Sequence, residues 1–161
     1  MPNGRRRIYW DADVWLSYIN GMPDRLPVLD ALLAESASPN GSIEIVTSVI
    51  SQVEVAYAET ERLKRALDPE VESRIDKLWA DRQALRLVEY HEGIGREARQ
   101  IIRTAVTKGW SLRSADSIHL ASARWMQVSE FHTYELRLIK YSNDIGFPIV
   151  APYTQQPRLG V

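Results

Sequence analysis

The sequence predicts an α/β fold, a three-layer α/β/α sandwich whose central sheet has four to five mostly parallel strands. Two observations predict it. Short apolar runs rich in strand-forming residues alternate along the chain with longer segments that repeat apolar residues at helical spacing. The helical segments are also long enough to connect parallel strands by right-handed crossovers.

The first half of the chain starts with a strand and two helices. The aromatic run Tyr9-Trp10 ends the first strand, and Pro23 breaks the helix that follows. After the second strand, Thr47 or Ser48 caps a helix that carries Glu54 about a turn and a half from its start. The elements predicted in this half are strands 8–10 and 43–46 and helices 14–19, 28–33 and 48–65.

The second half repeats the alternation of helix and strand. Asp68 followed by Pro69 has the pattern of a helix start, and Gly109 after Lys108 that of a helix stop. Ser114 is expected to cap a further helix. The elements predicted here are strands 85–88, 131–134 and 149–150 and helices 69–79, 94–106 and 114–123.

Length and composition favour one domain of ordinary globular type. With 161 residues, 45% of them hydrophobic, the chain fits a single domain over residues 1–161. We place its core at residues 8–151, between a short basic segment (1–7) and a C-terminal tail (152–161). The apolar stretch after the basic segment is broken at once by Asp11 and Asp13, which argues against a signal peptide or a membrane anchor and favours a cytoplasmic protein.

The charge balance and the absence of cysteine narrow the possible chemistry. A net charge of −1 and a pI of about 6.3 provide no overall positive field, so nucleic acid would have to be bound by a local basic patch. The absence of cysteine excludes disulfides, thiolate zinc sites and cysteine nucleophiles together. A metal ion bound by this chain would therefore be held mainly by oxygen ligands.

Four acidic residues stand near the ends of predicted strands or in the first turns of the helices that follow: Asp11, Glu54, Asp116 and Glu135. Open parallel sheets place their sites at this edge, and carboxylates gathered there can hold a hard divalent cation for chemistry on phosphate esters. Without a cation they should repel one another, which would raise some of their pKa values. Each acid could also have a simpler role as a helix cap or a solvated surface charge.

The segments around these acids resemble the ordered motifs of the PIN domain family. The similar segments are Ile8-Tyr9-Trp10-Asp11, Thr47-Ser48 with Glu54-Val55, Ala115-Asp116-Ser117-Ile118-His119-Leu120-Ala121, and Thr133-Tyr134-Glu135. The resemblance spans residues 8–151. It implies a small α/β/α sandwich with Mg²⁺- or Mn²⁺-dependent ribonuclease activity, and many members of the family are VapC-like toxins of bacterial toxin–antitoxin pairs.

The resemblance also implies roles for particular residues. Asp11, Glu54 and Asp116 would be the core catalytic acids and metal ligands, with Glu135 a fourth. Glu135 departs from the aspartate usual at that place, and its longer side chain could act through water. Asp13 is left open between a further ligand and a helix cap. Four residues are candidates for substrate binding: Thr133, Arg113, Lys108 and Arg137.

Two other functions remain open from the sequence. The pair Asp11 and Asp13 after an apolar strand resembles the opening motif of haloacid-dehalogenase-like phosphatases, with Thr47 as a second motif residue. The chain could also be a catalytically silent nuclease-fold binding module. If the chain is a PIN domain, its expected partners are an RNA substrate, a small antitoxin protein and a second copy of the chain. The apolar residues of predicted helices 48–65 and 69–79 would then form the dimer surface.

Overall fold

The computed structural model describes residues 4–154 and has one five-stranded sheet at its centre. Its strands are β1 (Arg6–Trp10), β2 (Ile43–Ser48), β3 (Leu85–Val88), β4 (Glu130–His132) and β5 (Ile149–Val150). Their order across the sheet is β3-β2-β1-β4-β5, and every neighbouring pair is parallel. The predicted α/β sandwich with a parallel sheet is therefore confirmed.

Eight α-helices and one 3₁₀ helix connect these strands within the described residues. The α-helices are α1 (Ala12–Ile19), α2 (Leu26–Ala37), α3 (Ile50–Glu54), α4 (Glu59–Lys64), α5 (Pro69–Ala80), α6 (Glu92–Thr107), α7 (Ser114–Trp125) and α8 (Ser142–Ile145), and the 3₁₀ helix spans Leu136–Tyr141. Within residues 4–154, none of these helices has both the length and the apolar character that crossing a bilayer requires.

Side chains of β1 alternate between two hydrophobic cores, one on each face of the sheet. Ile8 and Trp10 pack on the side of α1, α2 and α5, whereas Tyr9 packs on the side of α6, α7 and α8. This alternation follows from the two-residue period of a strand. Because both faces are covered, β1 is apolar throughout its last three residues, all of which are at most 1% exposed.

Helix starts and stops were predicted with mixed success. The Asp68 side chain accepts a hydrogen bond from the Glu70 amide at the start of α5, and Gly109 adopts a left-handed φ of +70° after α6, both as expected. Ser114, however, is the first helical residue of α7 rather than its cap.

The predicted long helix after β2 was wrong. Thr47 and Ser48 end the strand, and the chain then forms two short helices, α3 and α4, separated by residues 55–58. Glu54 is consequently the last residue of a five-residue helix. Of its two neighbours along the chain, Val53 is 77% exposed whereas Val55 is fully buried.

The N-terminal arginines form part of the fold rather than a separate segment. Arg6 and Arg7 belong to β1, and the Arg5 guanidinium donates hydrogen bonds to the carbonyl oxygens of Ser36, Ser38 and Pro39. Of the predicted C-terminal tail, residues 155–161 lie outside the described residues, while the Tyr153 hydroxyl donates to Glu130.

Candidate active site

The sheet changes direction of winding between β1 and β4, and the acidic cluster lies at this point. From β1 the chain adds β2 and β3 on one side and β4 and β5 on the other. Open parallel sheets form a crevice at the carboxyl ends of the two strands that flank such a switch. Trp10 pairs with His132 at these ends, so Asp11 and Thr133 follow side by side.

Asp11 has a buried carboxyl group with few nearby groups that could stabilise its negative charge. Its side chain caps α1 by accepting the Val14 amide at 3.4 Å, and only 3% of the residue is exposed. Burial raises its pKa to about 7, Asp13 adds to the rise, and the Thr133 hydroxyl and the His119 ring reduce it. Within residues 4–154 no arginine or lysine forms a salt bridge with it.

Asp13, on the first turn of α1, lies within the electrostatic field of the other candidate acids. Its pKa is raised, first by burial and then by the negative charges of Glu135, Asp116 and Glu54, while Arg113 opposes the rise. The raised pKa values expected for a cation-free acidic cluster are therefore observed at Asp11 and Asp13, although burial contributes more than repulsion in both cases.

Arginine side chains bind the two acids nearest to the surface. Arg113 Nε donates to Asp116 Oδ2 at 3.0 Å, and its Nη2 lies 4.0 Å from Glu135 Oε2. Arg137 forms a two-pronged pair with Glu135, at 2.9 Å and 3.1 Å. This pair is the main reason that the pKa of Glu135 is lowered, against a smaller opposing effect of burial.

Glu54 is held by a histidine from α7. His119 is 1% exposed, and its Nε2 lies 2.6 Å from Glu54 Oε1 while its Nδ1 lies 2.7 Å from the Tyr9 hydroxyl. The Ser48 amide in turn donates to that hydroxyl at 3.0 Å. Both residues lie within the segments that resemble the PIN motifs, but the sequence gave no sign that they meet, and the only signal for Tyr9 is its place two residues before Asp11.

The other predicted binding residues occupy different environments. Thr133 is buried and its Oγ1 accepts the Glu135 amide at 2.9 Å, so it links protein groups within the site. Lys108 binds the Asp144 carboxylate and, within residues 4–154, forms no ion pair with the candidate acids. Thr47 is fully buried, with its hydroxyl bonded to the Trp10 carbonyl and to Ser51, which leaves no group for the phosphate-binding role of the phosphatase reading.

The residues present fit a hard divalent cation by their chemistry. All five acids supply carboxylate oxygens, the ligands that Mg²⁺ and Mn²⁺ prefer, and Asp11 is a buried carboxyl group that pairs with no arginine or lysine within residues 4–154. In the described part of the chain, no three aspartate, glutamate or histidine side chains already stand together as a metal site. Arg113, Arg137 and His119 engage three of the four principal acids instead, so the predicted ligand roles remain predictions.

Comparison with known proteins gives a family match and a fold match. The sequence profile of the PIN domain family matches residues 8–144. No curated protein matches the sequence.

Several solved structures share the fold at low sequence identity. VapBC2 from Rickettsia felis, bound to a DNA fragment from its promoter, has 15% identity and a TM-score of 0.63, covering 92% of this chain and 99% of its own. FitAcB from Neisseria gonorrhoeae has 16% identity and a TM-score of 0.60, covering 90% and 97%. VapC20 from Mycobacterium tuberculosis, a toxin that cleaves the sarcin-ricin loop, has 15% identity and a TM-score of 0.59, covering 87% and 95%.

Proposed function

Since the chain belongs to the PIN domain family, a family of nucleases, we propose that it is a divalent-metal-dependent endoribonuclease that hydrolyses RNA phosphodiester bonds. The observation that supports this most directly is Asp11, a buried carboxyl group that forms no salt bridge with an arginine or lysine within residues 4–154, at the switch point of a parallel sheet. Its neighbour Asp13 lies in turn in the field of Glu135, Asp116 and Glu54.

The candidate ligands of Mg²⁺ or Mn²⁺ are Asp11, Glu54 and Asp116, with Glu135 reaching the ion through water and Asp13 as a further ligand. A bound cation of this kind activates a water molecule for attack and neutralises charge on the scissile phosphate. The chain fixes Asp11 by burial and by the helix cap, whereas arginines hold Asp116 and Glu135 nearer to the surface.

Arg113 and Arg137 serve the substrate side of this proposal. Both arginine side chains are more than half exposed, at 64% and 62%, while they contact the acids. Each therefore retains N–H groups that can meet an RNA phosphate, and their charge offsets the repulsion between the acidic site and the substrate backbone. Lys108 would bind a phosphate further along the same RNA molecule.

We further propose that the protein is the cytoplasmic toxin of a toxin–antitoxin pair and that it forms a homodimer. Support comes from the fold shared with VapBC2, FitAcB and the toxin VapC20. Of the predicted dimer surface, the part on α5 is wrong, because its large apolar residues Val71, Ile75, Leu78 and Trp79 are buried within the chain. The part at residues 48–65 stays a prediction: Val53, Tyr57 and Leu63 there are 77%, 46% and 68% exposed, and Leu67 just beyond it is 79% exposed.

Asp116→Asn tests the nuclease proposal. The side chain lies in the first turn of α7 and contacts Arg113 at the surface, so asparagine should preserve the fold while removing a candidate ligand. We expect RNA cleavage in Mn²⁺ to fall by at least two orders of magnitude, in line with the loss of a metal ligand. Glu92→Gln, which changes an exposed acid paired with Arg96, is the control and should cleave normally.

The same assay separates the alternatives. Wild-type activity in Asp116→Asn would overturn the assigned role. Turnover of a small phosphate monoester with no cleavage of RNA would favour the phosphatase reading. Folded wild-type protein that binds RNA without cutting it would favour the catalytically silent binding module. In a separate experiment, the gene is expressed together with the adjacent open reading frame, and a small protein that copurifies would support the proposed antitoxin.

A further inference from the structure

A buried chain of hydrogen bonds ends on one candidate acid. It runs from the Ser48 amide on β2 to the Tyr9 hydroxyl on β1, then to His119 on α7 and finally to Glu54 on α3, with distances of 3.0, 2.7 and 2.6 Å. Tyr9 is fully buried and His119 is 1% exposed, so water does not compete for these bonds. Four separate elements are thereby tied to a single carboxylate.

The order of the protons in this chain follows from its donors. The Ser48 amide can only donate, so it occupies an acceptor position on the Tyr9 oxygen. The Tyr9 hydroxyl has a proton of its own to donate, and its other partner is His119 Nδ1 at 2.7 Å, a ring nitrogen that can accept it. A neutral imidazole that accepts at Nδ1 carries its proton on Nε2, which then donates to Glu54 Oε1.

Glu54 needs such a restraint because its local structure provides little. It is the last residue of a five-residue helix, its side chain is 30% exposed, and Val53 beside it points into solvent. A hydrogen bond from a ring fixed in the core holds Oε1 and leaves Oε2 for a cation or for water.

We infer that Tyr9 and His119 are positioning residues that fix the rotamer of Glu54 and present its second oxygen to a divalent cation. This inference rests on the proposed function. Neither residue touches substrate; His119 acts through Glu54, and Tyr9 acts by fixing the tautomer and the orientation of His119. Residues that orient metal ligands in this way affect metal affinity by about 10- to 100-fold in other proteins.

The first test reads the histidine tautomer in the metal-free wild-type protein. The chain has three histidines, so ¹⁵N-histidine labelling gives three sets of ring signals in a long-range ¹⁵N–¹H correlation spectrum. The set that disappears in His119→Gln belongs to His119. At about pH 8 we expect its proton on Nε2 and none on Nδ1. A proton on Nδ1, alone or together with one on Nε2, would overturn the inferred order.

The second test measures Mn²⁺ affinity by titration calorimetry of the full chain. Tyr9→Phe keeps the ring that stacks on Phe131 but removes the hydroxyl, and it should weaken Mn²⁺ binding about tenfold. His119→Leu should weaken it by about 10- to 100-fold, and His119→Gln, which can still donate to Glu54, should recover part of that loss. Tyr153→Phe, which removes a hydroxyl bonded to Glu130, is the matched control and should bind like the wild type.

The two tests distinguish failure of this inference from failure of the proposed function. Equal Mn²⁺ affinity in Tyr9→Phe and wild type would refute the positioning role. Absence of Mn²⁺ binding in the wild type would refute both the metal-dependent function and the role of the chain in presenting a ligand, while the tautomer spectrum would still report whether the hydrogen-bond order is correct.

Discussion

Asp11→Asn tests whether the buried carboxylate costs the cation-free protein stability. The pKa of Asp11 rises from 3.8 to about 7 in the folded state, so folded protein holds a proton that the unfolded chain releases between those pH values. The free energy of unfolding must then fall as the pH rises through this range. A difference in pKa of this size between the folded and unfolded states lowers the free energy of unfolding by roughly 4 kcal/mol at about pH 8 and by little at about pH 3.

Asparagine removes the charge and keeps a side-chain oxygen for the Val14 amide. In EDTA we expect Asp11→Asn to unfold at higher urea than the wild type at about pH 8, by about 2 to 4 kcal/mol, and at similar urea at about pH 3. Taking the difference between the two proteins cancels the titration of groups that do not interact with Asp11, which leaves its neighbours Asp13 and His119. A difference that does not change with pH would refute the reasoning, as would a variant less stable than the wild type at about pH 8.

Three further predictions concern charged pairs. Arg113→Ala removes the guanidinium group that binds Asp116, a candidate ligand of the cation, so calorimetry should show a several-fold higher affinity for Mn²⁺. The control Arg96→Ala, which breaks an exposed salt bridge with Glu92, should leave the affinity unchanged. Weaker Mn²⁺ binding in Arg113→Ala would show that Arg113 does not compete with the cation for Asp116. Glu135→Gln should reduce RNA cleavage by about tenfold, less than Asp116→Asn, and equal losses would show that the two acids act alike. Burial acts to raise the pKa of Glu130, but its hydrogen bonds with His132 and Tyr153 and the charge of Arg6 together outweigh burial and lower the pKa. The free energy of unfolding of the wild type should therefore fall as the pH drops below about 4.5. Urea unfolding of Glu130→Gln should show a smaller fall. An equally steep fall in the stability of the variant would show that other acidic residues cause it.

Strand positions and their place in the sheet were largely predictable from the sequence. Ile8-Tyr9-Trp10 and Ile43-Glu44-Ile45-Val46 both lie within observed strands, because strands covered on two faces are mostly apolar, with Glu44 the one charged residue in these runs. The strand predicted at 131–134 was wrong at its end, since β4 spans Glu130–His132. The helix boundaries after β2 were not predictable in the same way. Glu59 through Lys64 are polar enough for a helix by propensity, but the break at residues 55–58 depends on Val55 and Ala58, which are buried in the core on one side of the sheet.

The positions of the candidate acids relative to the strands and helices were also predictable from the sequence, since Asp11 and Glu135 follow strands and Asp116 lies in the first turn of a helix. The groups that neutralise them were harder to assign. Arg113 and Arg137 were predicted to bind RNA, yet each first contacts a nearby acid, at 3.0 Å and 2.9 Å. A sequence shows that opposite charges are near each other along the chain, but whether they meet depends on where the backbone directs them.

The alternation of strands and helices, the family motifs and the acids near one sheet edge could be predicted from the amino-acid sequence, because they follow from periodicity and residue type. The hydrogen-bonded chain of Tyr9, His119 and Glu54, and the burial of Asp11 without a salt bridge among the described residues, became visible only in the folded chain. Tyr9 and His119 are 110 positions apart, and His119 and Glu54 are 65 apart. The physical reason is that hydrogen bonds and burial depend on distances in space, which for residues so far apart are set by how the sheet and helices pack.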